Sequence, residues 1–72
     1  MFLVKYDMIN YKYQVIKPDP KRMKQLGNAI IYKGEQFSPR QQVKNVKAAY
    51  RLFGLENKNV EFIGCKGLVK NE

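Results

Sequence analysis

The feature that most constrains the fold is the spacing of apolar residues between positions 39 and 53. These residues recur at intervals of three and four: Val43, Val46, Ala49, Tyr50 and Phe53. Such spacing places them on one face of an α-helix, where they form its core side. Ser38 followed by a proline and by Gln41 predicts a capping box at the helix start. Gly54 predicts the helix end, with Leu55 packing back onto the last turn.

The same predicted helix carries four basic side chains and no acidic residue. Arg40, Lys44, Lys47 and Arg51 follow one another at spacings of four, three and four. On an ideal helix they fall within an arc of roughly 60°, away from the apolar face. Like charges at these spacings destabilise a helix by about 0.2–0.5 kcal/mol per pair, so the stripe calls for an explanation. It is either a solvated face of a basic protein or a surface for phosphates, an acidic protein patch or anionic lipid.

The first sixteen residues predict two strands. Alternating β-branched and aromatic residues change parity between Phe2 and Val15, so one straight strand cannot bury both sets. We favour a hairpin with its turn at residues 7–10 over one long strand with a bulge. Prolines at 18 and 20 then end the second strand, because proline cannot donate to a ladder.

The remaining elements predict a small α+β domain. Asp19 is suited to cap one or two turns of helix, or a structured loop, across residues 21–26, with Gly27 closing it. Strands are expected at residues 28–33 and 60–66, with Gly34 bending the chain between the first of these and the long helix. The expected order is β-β-(short α)-β-α-β. We expect two layers, with the main helix packed on one mostly antiparallel sheet.

The net charge is +8, from 14 basic and 6 acidic residues in a 72-residue chain. Each half of the chain has the same excess, so the whole of residues 1–72 reads as one small basic domain, with residues 67–72 as a flexible tail. A charge of this size favours polyanionic partners, although it also serves solubility. No stretch is apolar for long enough to predict a signal peptide or a membrane span.

The sequence contains no catalytic motif. Histidine, the commonest general base, is absent, and the six carboxylates are scattered without paired spacing. Cys65 is the only cysteine, so neither an intrachain disulfide nor a Cys/His zinc site is expected. We interpret Cys65 as a small buried apolar residue in a reducing, cytoplasmic setting. The expectation is a protein that is not an enzyme and holds no metal or cofactor.

Two further groups of residues are candidates for binding. Tyr11 and Tyr13 flank Lys12, and on an uncovered sheet face they could stack on unpaired bases. The alternative is that they belong to the core and its rim. Lys21, Arg22 and Lys24 form a second basic cluster, which could equally be a solvated face. The Lys/Arg-Gly-aromatic run of RNA-recognition domains is absent.

These patterns favour a non-enzymatic module that contacts nucleic-acid phosphates, with RNA favoured over DNA. In element order and basicity, residues 28–66 resemble small ribosomal and double-stranded-RNA-binding modules. The alternative is a small protein effector that binds an acidic site on another protein. Lysine-rich, arginine-poor usage is typical of AT-rich coding sequences, including those of phages. A phage-encoded inhibitor acting in the host cytoplasm would fit this alternative.

Overall fold

The computed structural model describes residues 1–64, so Cys65, the last part of the predicted strand at 60–66 and the predicted tail lie outside the described residues. Within that range the chain forms seven strands and one α-helix. The strands are β1 (Phe2–Asp7), β2 (Lys12–Ile16), β3 (Met23–Leu26), β4 (Ala29–Tyr32), β5 (Glu35–Phe37), β6 (Gln42–Val43) and β7 (Val60–Ile63). The helix is α1 (Val46–Phe53), and 3-10 turns occupy Pro20–Arg22, Pro39–Gln41 and Leu55–Asn57.

The central sheet has the strand order β6-β1-β2-β7. The predicted hairpin is confirmed: β1 and β2 pair antiparallel from Leu3 opposite Ile16 to Asp7 opposite Lys12. The Asp7 carboxylate holds the turn, because it accepts hydrogen bonds from the backbone N–H groups of Ile9 (2.9 Å) and Asn10 (3.2 Å). On its other edge β2 pairs with β7, and this pairing is parallel.

A second sheet of order β3-β4-β5 is built from two tight hairpins. Lys33 and Gly34 both have positive φ (51° and 79°), as a type I′ turn requires. The predicted cap at Asp19 is confirmed, since its carboxylate accepts from the N–H of Lys21 at 3.1 Å. The prediction of a helix or loop through residue 26 is wrong beyond Arg22. There the chain extends into β3 instead, and Gly27 begins a hairpin turn.

The central sheet is covered on both faces, which corrects the expected two-layer arrangement with one sheet. Helix α1 covers one face, over a core of buried residues that includes Val4, Val15 and Leu55. The second sheet covers the other face, over a cluster that includes Leu3 and Phe37. The fold is nevertheless a mixed α+β one with mostly antiparallel strands, as predicted.

The predicted helix over residues 39–53 is wrong in its first half, because α1 begins only at Val46. Ser38 and Gln41 do bond to each other, with the Ser38 N–H donating to Gln41 Oε1 at 3.0 Å, but they close a single 3-10 turn. The chain then pairs with β1, and the side chain of Gln41 donates to the carbonyl of Val4 at 2.9 Å. Asn45 caps the true helix by accepting from the N–H of Ala48 at 2.7 Å.

The residues of the predicted apolar face do pack onto the core, although the helix is shorter than predicted. Val43 is buried whether it belongs to a helix or to β6, and Val46, Ala49, Tyr50 and Phe53 do pack onto the core from α1. The predicted helix end is also confirmed, because Gly54 has a left-handed conformation (φ 62°) and its N–H donates to the Tyr50 carbonyl.

Candidate nucleic-acid interface

The four residues of the predicted basic stripe do not lie on one helix. Arg40 belongs to the 3-10 turn at Pro39–Gln41, and Lys44 lies in the bend between β6 and α1. Lys47 and Arg51 are on α1, one helical turn apart. All four side chains are exposed. The four residues therefore form a basic segment of the chain, but only Lys47 and Arg51 are helical. Arg40 and Lys44 precede the helix.

Lys47 and Arg51 border a shallow depression of about 530 Å³ at the C-terminal half of α1. Tyr50 and Gly54 also line it, together with residues of the following 3-10 turn. The ring of Tyr50 stacks on Phe62 of β7, with centroids 6.4 Å apart and planes inclined by 13°. Tyr50 is thus both a core contact of the helix and part of the wall of a cationic depression.

Arg40 lies on the other side of the helix end. It borders a second depression of about 490 Å³, which Leu52 and Phe53 also line. Leu52, on the last turn of α1, is 68% exposed. The end of α1 therefore separates two recesses, one lined by Lys47 and Arg51 and the other by Arg40 beside exposed apolar surface.

Residues 1–64 contain five carboxylates, and none of them forms an ion pair with these four cations. The pairs that do form are Lys5–Glu35 (2.6 Å), Lys12–Glu61 (2.9 Å) and Arg22–Asp19 (3.8 Å). Asp7 is engaged by its own turn. Glu56 lines the depression beside Lys47 and Arg51, yet it pairs with neither in the described structure.

Local hydrogen bonds stabilise two of these carboxylates in their charged form. The side-chain amide of Asn10 donates to Asp7 at 2.9 Å and lowers its pKa, with further help from backbone N–H groups of the turn. The ammonium of Lys12, followed by the amide of Gln14, lowers the pKa of Glu61. Asp7 is therefore engaged within the hairpin turn, and Glu61 is engaged across the pairing of β7 with β2.

The helix dipole acts differently on the two helical cations. Lys47 is the second residue of α1 and opposes the positive end of the dipole, whereas Arg51 lies in the last turn, where a cation is favoured. Arg40 lies outside the helix, in the 3-10 turn, so it does not oppose the dipole of α1. Because Lys47 destabilises the helix from this position, helix stability does not explain why a cation is there.

The predicted tyrosine platform does not form. Tyr13 lies on the helix-covered face of the central sheet, half-buried, with its ring 4.9 Å from that of Tyr6 and 6.4 Å from that of Phe53. Tyr11 is in the hairpin turn, with φ of 54°, and is 75% exposed. The two rings are therefore not presented together on an open face, and only Tyr11 remains free to contact a ligand.

The second basic cluster lies on another part of the molecule. Lys21 and Arg22 are in the 3-10 turn that leads into β3, and Lys24 is on β3 itself. All three are exposed, and Arg22 approaches Asp19. The second sheet packs on the face of the central sheet opposite α1. The structure therefore does not join this cluster to Lys47 and Arg51.

The sequence analysis predicted the turn of the β1–β2 hairpin but not the exposed apolar residues at its tip. Met8 and Ile9, in the β1–β2 turn, are 76% and 85% exposed. The signal for it was present, since two large apolar residues occupy positions where a turn usually carries polar ones. Together with Leu52, they are among the most exposed large apolar side chains of residues 1–64.

Comparison of the chain with protein-family models, curated proteins and solved structures finds no match. In the described part of the chain, no helix is long and apolar enough to cross a membrane. The same residues contain no group of three or more carboxylate, thiol or imidazole side chains placed to hold a metal ion.

Proposed function

We propose that this protein is a non-enzymatic nucleic-acid-binding module, with RNA favoured over DNA. It contacts phosphates through Lys47 and Arg51, with Arg40 and Lys44 extending the surface. The observation that supports this proposal is the charge of the segment from residue 36 to residue 55. It contains no acidic residue, and its four cations are exposed and make no ion pair within residues 1–64.

The geometry of α1 supports a phosphate-binding role for its two cations. One helical turn is about 5.4 Å, so Lys47 and Arg51 project from the same face at a spacing suited to successive anionic groups. Guanidinium and ammonium groups both donate to phosphate, the guanidinium in a bidentate manner. The wall formed by Tyr50 adds aromatic surface to the depression between them.

The preference for RNA rests on the shape of this surface. Helix α1 has eight residues and is about 12 Å long, and one face of it is committed to the core. It is short for an element that reads the major groove of duplex DNA. A shallow cationic depression beside an aromatic ring suits single-stranded segments, whose bases are free to stack.

A charge-reversal variant tests the interface. Lys47→Glu together with Arg51→Glu should weaken binding to single-stranded RNA by about tenfold to a hundredfold, whatever its sequence, because two charge-assisted contacts are lost. Fluorescence anisotropy with labelled oligonucleotides measures the effect, and circular dichroism checks that the fold persists.

The matched control is Lys17→Glu with Lys58→Glu. Both residues are exposed and lie outside the segment 36–55, and the change in net charge is the same. We expect the control to lose far less affinity than the helix variant. If both variants lose the same affinity, binding follows total charge alone and the proposed interface is wrong.

The second candidate function is a small protein effector, such as a phage-encoded inhibitor, whose basic surface binds an acidic site on a host protein. The recess lined by Arg40, Leu52 and Phe53 favours it, because arginine and aromatic residues are enriched in protein interfaces. Capture from a host lysate, with and without nuclease, distinguishes the two. Partners lost on nuclease treatment support the nucleic-acid module. A single nuclease-resistant partner at fixed stoichiometry supports the effector.

A further inference from the structure

The depression at the C-terminal half of α1 contains a carboxylate as well as two cations. Glu56 lines it beside Lys47 and Arg51, and it forms no ion pair within residues 1–64. The volume of about 530 Å³ is within the roughly 300–1,000 Å³ of pockets that hold small ligands. A carboxylate repels phosphate, so Glu56 weakens a surface that binds phosphate alone. It suits a ligand that also offers hydrogen-bond donors.

The fold holds the backbone of Glu56 in place. Leu55, the preceding residue, is fully buried in the core between α1 and the central sheet. The 3-10 turn Leu55–Asn57 is closed by the N–H of Lys58, which donates to the carbonyl of Leu55 at 3.0 Å. Functional groups on anchored elements keep their positions better than groups on free loops. Glu56 therefore belongs to an anchored wall of the depression.

The walls of the depression differ in charge. Lys47 and Arg51 present positive charge and hydrogen-bond donors along α1. Glu56 presents negative charge and acceptors beyond the helix end, where the helix carbonyls add partial negative charge. A ligand that satisfies both walls has phosphate groups next to a group rich in N–H donors.

We propose that this depression binds one unpaired guanine base of the RNA. This inference rests on the proposed nucleic-acid function and specifies the nucleotide that the site prefers. The Glu56 carboxylate accepts from the N1–H and the 2-amino group of guanine, and the side-chain amide of Asn57 donates to its O6. Lys47 and Arg51 bind the phosphates next to this nucleotide, and Tyr50 forms an aromatic wall beside the base.

The chemistry of the bases selects guanine. Its Watson–Crick edge presents two adjacent N–H donors, which match the two oxygens of a carboxylate. Adenine and cytosine each present an amino group beside a ring nitrogen that is an acceptor, so the second carboxylate oxygen is repelled. Uracil presents one N–H between two carbonyls. A carboxylate in this wall therefore favours guanine over the other three bases.

Inosine provides the test of the base, because it lacks only the 2-amino group of guanosine. Fluorescence anisotropy compares short labelled oligouridylates that carry one central guanosine, inosine or uridine. We expect the guanosine oligonucleotide to bind about fivefold to tenfold more tightly than the inosine one, since one hydrogen bond to a charged acceptor is lost. Equal affinities would overturn the guanine site and leave the phosphate interface standing. Failure to bind any of the three would overturn both.

Glu56→Gln tests the assignment of this preference to the carboxylate. The variant replaces one of two acceptor oxygens by a donor, so the preference for guanosine over inosine should fall below about twofold. The affinity for the all-uridine oligonucleotide should rise, because a charge that repels phosphate is removed. Circular dichroism checks that the fold persists.

The matched control is Glu35→Gln, which makes the same change of charge on β5, in the second sheet. Glu35 is paired with Lys5 and lies outside the depression. We expect this control to keep the full preference for guanosine. If Glu56→Gln also keeps it, or alters the affinity for all three oligonucleotides by the same factor, Glu56 does not contact the base and the proposal is wrong.

Discussion

Replacing Leu55 with alanine is expected to lower the free energy of unfolding by about 2–5 kcal/mol. Leu55 follows the end of α1, is fully buried, and belongs to the core between the helix and the central sheet. A chain of this length has a total stability of roughly 4–11 kcal/mol, so the loss is a large part of the whole. Urea denaturation followed by circular dichroism measures the change.

Leu52→Ala is the matched control for this prediction. Leu52 is the same residue type three positions earlier, but it is 68% exposed. Its truncation should change the free energy of unfolding by no more than about 0.5 kcal/mol. Similar losses in both variants would contradict the packing of the helix end on the core.

The affinity for nucleic acid is expected to fall steeply with salt. If the four cations of residues 40–51 neutralise four phosphates, the slope of log affinity against log salt is about −3 on single strands and about −4 on duplexes. Between 50 and 200 mM salt, this corresponds to a loss of roughly 50-fold on single strands and 150-fold on duplexes. Anisotropy titrations across this salt range give the slope.

The helix variant sharpens this experiment. Lys47→Glu with Arg51→Glu should make the slope of log affinity against log salt shallower by the amount that two lost phosphate contacts contribute. The control variant with Lys17→Glu and Lys58→Glu should leave this slope nearly unchanged. Binding that is insensitive to salt would contradict a phosphate interface, and it would favour an apolar or hydrogen-bonded contact with protein.

The elements that the sequence predicted well are those decided by local chemistry. The hairpin followed from the change of parity between Phe2 and Val15, and the turn before β3 followed from Asp19 and its flanking prolines. The strand at Ala29–Tyr32 followed from its run of apolar residues. Each depends on neighbours within a few residues, which a pattern can capture.

The second sheet and β6 could not be predicted in the same way. Strands of two to four residues, such as β5 and β6, are too short to show an alternation. β6 exists because it completes the edge of β1, a partner some forty residues away in the sequence. The signal that was available for the second sheet lies in Lys33 and Gly34, a turn dipeptide between two extended segments.

The candidate site was predicted in its residues and not in its arrangement. Exposure of Arg40, Lys44, Lys47 and Arg51 is as the helical wheel predicted. Their alignment depended on where the helix begins, and the sequence offers two caps, Ser38 and Asn45. Pairing of β6 with β1 decides between them, because the residues after Ser38 are then extended. Local sequence propensity cannot predict which of the two caps begins the helix, because the choice depends on the pairing of two distant strands.

The parallel pairing of β7 with β2 has a consequence for synthesis of the chain. Val60 pairs with Tyr13, so the central sheet joins segments separated by 47 residues. Contacts of such long range slow folding, because the intervening loop must be ordered before the strands are paired. Until β7 has been made, β2 presents a bare edge to its surroundings. During translation the hairpin of β1 and β2 therefore keeps the open edge of β2 exposed to aggregation until β7 has been made.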